Sequence, residues 1–392
     1  MLISIALMMV FGMMLGWICK KIRFPSLFGM IVTGMILGPH ILNFIDPSIL
    51  NVSSELRRIA LIIILIRAGL SLDVTDLKKV GRPAVLMCFV PACFEMAGMV
   101  LLAPLLLGIS RLDAAILGAV VAAVSPAVIV PKMLKLMNEE YGTKQAIPQL
   151  ILAGASVDDV FVIVMFSTFT GLAQGNQISL RNFVNIPVSI IVGIFIGFCV
   201  GFMLARYFEK VHIRDTAKVI ILLSISFFMV TFEDAYGKII PFASLIAVMC
   251  MGISLQRNRE VVAVRLSLKF NKLWVMAEIM LFVLVGATVD LNNVKGVGVS
   301  AVLLLFTVLI FRMAGVIVCL IGTKLNTKER VFCMLAYTPK ATVQAAIGGL
   351  PLAMGLSCGN IVLTVSVLAI LITAPLGAFV IDLTYKKFLQ HT

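Results

Sequence analysis

Charge is scarce in this sequence: 13% of its 392 residues are Asp, Glu, Lys or Arg, and the mean hydropathy is +1.11. A soluble domain with a polar surface does not reach such values, so the composition reads as an integral membrane protein. Long polar stretches are also missing, so no appended nucleotide-binding or soluble regulatory domain is expected. No glycine-rich phosphate loop is present, and none is needed if a gradient supplies the energy; no cofactor is expected. The three histidines, His40, His212 and His391, lie at loop or terminal positions, too scattered for a metal site. Eight cysteines are present but no C-x-x-C spacing, and they read as small core residues rather than a disulfide or zinc pattern. With no H-E-x-x-H, no histidine in the interior of a span and the two aspartates adjacent rather than apart, an intramembrane protease is not expected, nor any enzyme.

What the chain does have is apolar runs. At roughly 20 residues per helical crossing, they predict about thirteen spans: 2–19, 25–42, 55–72, 83–108, 112–136, 147–173, 182–206, 215–233, 239–256, 270–291, 297–322, 328–355 and 360–383. The first span has no basic segment before it and no small-residue cleavage site after it, and reads as a retained helix rather than a signal peptide.

The formal net charge of +13 is distributed as a topology signal rather than as a nucleic-acid surface. If the connections alternate sides, 23 of the 32 Lys and Arg fall on one side and six on the other; Arg67, Arg312 and Lys340 lie inside spans. The positive-inside rule then places the N-terminus outside and the C-terminus in the cytoplasm of a cell-membrane protein. The basic cytoplasmic face suits anionic lipid.

Within the run LILAGASVDDVFVIVMFSTF stand two adjacent carboxylates, Asp158 and Asp159. An ionised carboxylate at the bilayer centre costs about 2.5–3.5 kcal/mol on insertion scales, so acidic residues there mark a functional site by default. Neighbours on a helix point about 100° apart, so only one can face squarely into a given cavity. A carboxylate in a partly dry pocket holds a proton or a small cation in competition. Asp159 is the expected principal ligand of a transported cation and the proton carrier, with Asp158 as a second titrating or structural group.

An internal repeat surrounds this pair. LIRAGLSLD in the third span matches VLVGATVDL in the tenth, aligning Gly69 and Asp73 with Gly286 and Asp290; AAVSPAVIV in the fifth matches LAYTPKATV in the twelfth, aligning Ser125-Pro126 with Thr338-Pro339. Both matches are offset by seven spans. Seven is odd, so the halves, approximately 25–206 and 239–392, run in opposite directions, as in many secondary transporters with an ion site at the repeat interface. Proline in a helix interior removes a backbone bond, and such breaks survive at membrane depth only beside protein or a watery cavity. Two interrupted helices are expected, their freed ends capped by Ser125 and Thr338. Lys340 follows the second break and is expected to offset the negative ends of the half-helices. Glu95 and Arg312 share the 217-residue offset of Asp73 and Asp290, and an ion pair between them is expected because an unpaired buried charge costs far more.

Together, LIRAGLSLD, AAVSPAVIVPKML, the SVDDV pair, Arg312 and YTPKATVQAAIGG resemble the NHA branch of the second cation:proton antiporter superfamily, the sodium(lithium)/proton antiporters, over nearly the whole chain. The resemblance implies an all-α polytopic fold like that of the NhaA-type antiporters, with inverted repeats, two crossed unwound helices and a homodimer. It implies Asp158 and Asp159 as the ion-binding pair, Glu95 and Arg312 as the core salt bridge, and transported Na⁺ or Li⁺ and H⁺. The bacterial electrogenic relatives have a lysine where this chain has Arg312. Arginine does not release its proton, so a mechanism using that lysine as a second carrier is not open here. A potassium/proton antiporter, a proton-coupled symporter of the same fold and a passive cation channel are the alternative readings.

Overall fold

A computed structural model describes residues 1–22, 24–71, 81–174, 180–237, 242–288 and 291–391. The helices in chain order are α1 (Leu2–Lys21), α2 (Ser26–Leu37), α3 (Pro47–Asn51), α4 (Ser53–Ser71), α5 (Arg82–Met87), α6 (Val90–Leu107), α7 (Arg111–Ala122), α8 (Pro126–Asn138) and α9 (Ile147–Ala173). They continue with α10 (Leu180–Lys210), α11 (Asp215–Tyr236), α12 (Ser244–Asn258), α13 (Glu260–Ala287), α14 (Leu291–Leu320), α15 (Thr327–Ala336), α16 (Thr342–Ile347), α17 (Leu350–Ala353) and α18 (Gly359–Phe388). Among the described residues there is no β-strand beyond an isolated antiparallel bridge between Tyr141 and His391.

Local chemistry starts several of these helices. Asn326 accepts from the Glu329 N–H while the Glu329 carboxylate accepts from the Asn326 N–H, a reciprocal capping box that begins α15. Ser110 accepts from the Asp113 N–H and begins α7. At α8 the first helical residue is Pro126, whose missing N–H is one the helix would have left unpaired anyway.

Nine stretches among the described residues are long and apolar enough to cross a bilayer, and the protein is a multi-pass membrane protein. The other four expected segments are helical but differ in kind. Segment 25–42 yields the 12-residue α2, 239–256 yields the 15-residue α12, and 328–355 is divided among α15, α16 and α17. The third, 55–72, becomes α4, whose 19 residues include Glu55, Arg57, Arg58 and Arg67. Asp73 and Asp290, the matched acids of the repeat, lie outside the described residues.

The chain divides into two compact units, the boundaries falling within α4 and α13 as well as between helices. One comprises Met1–Arg57, Asp76–Ala173 and Glu278–Thr392. In it α14 packs along α6, α1 along α2, and α7, α8 and α9 pack together, with α18 against α14 and α15. Ile151, Phe332, Tyr337 and Ile381 are among its fully buried core. The other unit comprises Arg58–Thr75 and Gln174–Ala277, with α10 and α11 both packed on α12.

Lipid tails are as apolar as leucine, so close van der Waals contact rather than hydrophobic burial holds such helices together. Small residues permit it. In the first unit a side-chain carbon added to Gly34 of α2 would run into the Val283 carbonyl, and one added to Gly286 of α13 into that of Ile31. In the second unit Gly69 of α4 and Gly252 of α12 meet backbone to backbone in the same way. Gly34→Val is expected to destabilise the protein by about 1–3 kcal/mol through overpacking, read as loss of monodisperse protein after heating in detergent; an unchanged midpoint would show that α2 can move away.

Candidate functional site

Two helical stretches are interrupted, and the interruptions touch. Proline lacks an N–H, clashes with the preceding turn and pushes the residue before it out of helical geometry. Thus α7 stops at Ala122, Ser125 is extended at φ −91° and ψ 110°, and α8 starts at Pro126. Pro339 acts likewise between α15, which ends at Ala336, and α16, which begins at Thr342. The Ser125 N–H donates to the Pro339 carbonyl at 2.8 Å, tying one break to the other.

Breaking a helix frees backbone groups that have no water to bond at this depth. Side chains from other helices take them up. Gln344 Nε2 donates to the carbonyls of Val121 at 3.1 Å and Ala123 at 2.8 Å. Arg312 donates through Nη1 to the Ala122 carbonyl and through Nε to the Tyr337 carbonyl, the latter at 2.6 Å. The Val124 N–H donates to Asp158 Oδ2 at 2.9 Å, and the Lys340 N–H donates to Thr373 Oγ1 at 2.9 Å. Ser125 and Thr338, the expected caps, do otherwise. Ser125 Oγ is buried without a partner, while Thr338 Oγ1 donates back to the Leu335 carbonyl of the preceding helix, α15, at 2.8 Å.

The charged side chains converge on the same place. Arg312 of α14 reaches Glu95 of α6 through Nη1 at 2.8 Å and Asp158 of α9 through Nη2 at 2.9 Å, with all three side chains fully buried. Lys340 Nζ lies 2.5 Å from Glu95 Oε2. Its charge therefore meets a carboxylate rather than the half-helix ends, because a full negative charge at hydrogen-bond distance outweighs the partial charge of a helix terminus. Arg312 also stacks on Tyr337, its Cζ 4.9 Å from the ring centre, and the Tyr337 hydroxyl donates to the Met87 carbonyl at 2.9 Å. Gly154, one turn before Asp158, leaves room for that hydroxyl.

The two aspartates differ. Asp158 Oδ2 takes two donors, from Arg312 and Val124, leaving Oδ1 without a partner. Asp159 Oδ1 is also buried without a partner, and among the described residues no cation forms an ion pair with Asp159. Asp159 is 9% exposed, Asp158 not at all.

Counting charge makes the consequence plain. Arg312 and Lys340 supply two positive charges; Glu95, Asp158 and Asp159 supply three negative ones when ionised. With all three ionised the acids exceed the two cations by one charge, and Asp159 is the acid left without a paired cation among the described residues. Among the described residues no group of three or more His, Cys, Asp and Glu forms a resident-metal cluster.

The structure thus brings together Asp158, Glu95, Arg312, Lys340, Ser125 and Pro339, places Pro126 at the start of α8, and turns the Thr338 hydroxyl toward α15. Gln344, Tyr337 and Thr373 were not read from the sequence as part of this arrangement. Polar residues inside an apolar span were the available signal, but their partners are backbone carbonyls and a backbone N–H that no spacing reveals.

Comparison with known proteins agrees with this architecture. Sodium/hydrogen exchanger 9B2 of Homo sapiens is 34% identical over 387 residues, covering 93% of this chain and 70% of that protein. The Xenopus tropicalis protein of the same name is 33% identical over 358 residues, covering 87% of this chain and 65% of its own length. The chain spans about two thirds of the length of these relatives. Its fold is that of the sodium proton antiporter MjNhaP1 from Methanocaldococcus jannaschii at pH 8, with a TM-score of 0.86 at 19% identity, covering 98% of this chain and 97% of that one. The family described as sodium/hydrogen exchanger, transmembrane, matches residues 5–387, and the chain belongs to that family.

Proposed function

We propose that this protein is a secondary active antiporter that exchanges Na⁺ or Li⁺ for H⁺ by alternating access, with Asp159 as the shared cation and proton site. The observation that carries this reading is a buried Asp159 with no cation paired to it among the described residues, beside an Asp158 held by Arg312. Asp158 is already matched by Arg312 and the Val124 N–H, so it serves as the second, positioning carboxylate. A single acid without a paired cation supports one proton exchanged for one monovalent cation. The relatives' names, sodium/hydrogen exchangers, and that of the structural neighbour, a sodium proton antiporter, support Na⁺ and H⁺ as the exchanged pair.

Ser125, Pro126, Thr338, Pro339 and Lys340 form the meeting of two unwound helices, and Glu95 with Arg312 its fixed salt bridge. The glycine contacts of Gly69 and of Gly286, each made backbone to backbone, support the inverted repeats 25–206 and 239–392. The protein works as a homodimer in the cell membrane, its C-terminus and basic loops facing the cytoplasm and anionic lipid.

Reconstituted vesicles containing a trapped pH dye test this. Addition of Na⁺ or Li⁺ to acid-loaded vesicles should alkalinise the lumen, without dependence on membrane potential; no response to Na⁺, Li⁺ or K⁺ would overturn antiport. The sign with pH follows from competition. Below the pH at which the site releases its proton, each further unit of acid raises the apparent KM for Na⁺ by up to about tenfold, the factor equivalent to one pKa unit. A KM flat across pH 6–9 would show that proton and cation do not share a site.

A further inference from the structure

Gln344 occupies an unusual place in the break of the first stretch. The Ala123 carbonyl that accepts from its Nε2 at 2.8 Å and the Val124 N–H that donates to Asp158 Oδ2 at 2.9 Å are the two ends of one peptide unit. That unit is planar and rigid. An amide hydrogen bond at its oxygen therefore fixes the direction of its N–H and polarises it, strengthening the donation at the other end. The same amide nitrogen also donates to the Val121 carbonyl at 3.1 Å, so both of its hydrogens are committed. With carbonyl acceptors on that side, the amide has only one orientation: Nε2 toward the break, Oε1 away from it. Gln344 Oε1 is buried without a partner, and the residue is 1% exposed.

Resting on the exchange reading above, we propose that Gln344 is a positioning residue that sets how well the aspartate pair competes for the cation, acting on Asp158 through the Ala123–Val124 peptide. The Val124 N–H and Arg312 Nη2 together hold Asp158 Oδ2 in place. A carboxylate held in this way keeps one orientation beside Asp159, so the pair presents a formed site to the cation. A role confined to stitching helix ends would affect folding and turnover, but not the balance between Na⁺ and H⁺.

Gln344→Met keeps the length and bulk of the side chain and removes both donors. In vesicles loaded with the pH dye, its apparent KM for Na⁺ should rise about three- to tenfold, the scale of one net hydrogen bond. Its activity profile should move about half to one unit alkaline, with kcat within about twofold of wild type. Gln344→Glu, whose neutral carboxyl restores one donor, should fall between the two. Wild-type KM and pH profile in Gln344→Met, or reduced kcat on an unmoved profile, would overturn the proposal. If the methionine variant does not fold, the glutamate variant decides by the same measures; failure of both to fold would make Gln344 purely structural and also overturn it. Wild-type vesicles run beside them separate the two readings: absence of exchange there defeats antiport itself and this inference with it, whereas active wild type beside unshifted variants defeats only the role of Gln344.

Discussion

Asp159→Asn should abolish cation-driven proton flux, with the rate falling at least about a hundredfold, while leaving the protein as stable as wild type or more so. The two halves of this expectation have one cause. Asp159 is buried, its Oδ1 has no partner, and among the described residues no cation pairs with it. Isolated buried charge carries a desolvation penalty of several kcal/mol. An asparagine of the same shape removes that penalty and disturbs no ion pair, but it can neither release a proton nor neutralise a cation. Asp158→Asn should behave differently, because Asp158 Oδ2 answers both Arg312 and the Val124 N–H. Loss of its charge leaves Glu95 as the guanidinium's remaining paired carboxylate, and Glu95 is shared with Lys340. That variant should lose stability as well as transport. Dye-loaded vesicles give the rate, and heating in detergent followed by size-exclusion chromatography gives the stability. Exchange by Asp159→Asn within about threefold of wild type would move the site elsewhere.

Arg312→Gln should be the most damaging single substitution to folding, lowering stability by about 3–5 kcal/mol, the cost of stranding a buried charge, and the unfolding midpoint by about 4–6 °C. One guanidinium holds two carboxylates, Glu95 and Asp158, and two carbonyls, those of Ala122 and Tyr337. Those acceptors come from four places in the chain: α6, the end of α7, α9 and the residue after α15. Glutamine has the reach for at most part of this set and no charge for either acid. Arg312→Lys keeps the charge, but a compact ammonium lacks the planar fork that addresses several acceptors at once. It should unfold between wild type and the glutamine variant. A midpoint for Arg312→Gln within about 2 °C of wild type would show that the convergence does not hold the breaks together.

The partners of Arg312 show how far the sequence reaches. Its pairing with Glu95 was expected from the shared 217-residue offset and the cost of leaving either charge unpaired. Its bonds to Asp158 and to two backbone carbonyls were not, because nothing in the spacing of residues says which freed carbonyl lies under which fork. Lys340 makes the same point from the other side. Its depth in an apolar run demanded a partner, yet the choice of Glu95 over a helix end depended on a distance of 2.5 Å that only packing sets. Ser125 and Thr338 look like caps in sequence, but the geometry of each break left the freed groups to Asp158, Arg312, Gln344 and Thr373.

By itself, the sequence determined that this protein lives in a membrane, that its chain is helical, that helices break at Pro126 and Pro339, and that two adjacent acids, Asp158 and Asp159, stand at membrane depth. Each of those follows from local rules: apolar runs of bilayer length, a ring that cannot donate, and charge where charge is costly. The tertiary structure alone decided which aspartate is neutralised and which is left open. That distinction rests on whether a donor from another part of the chain reaches one oxygen rather than its neighbour, and a difference of one residue and about 100° on a helix acquires meaning only when other helices are packed around it.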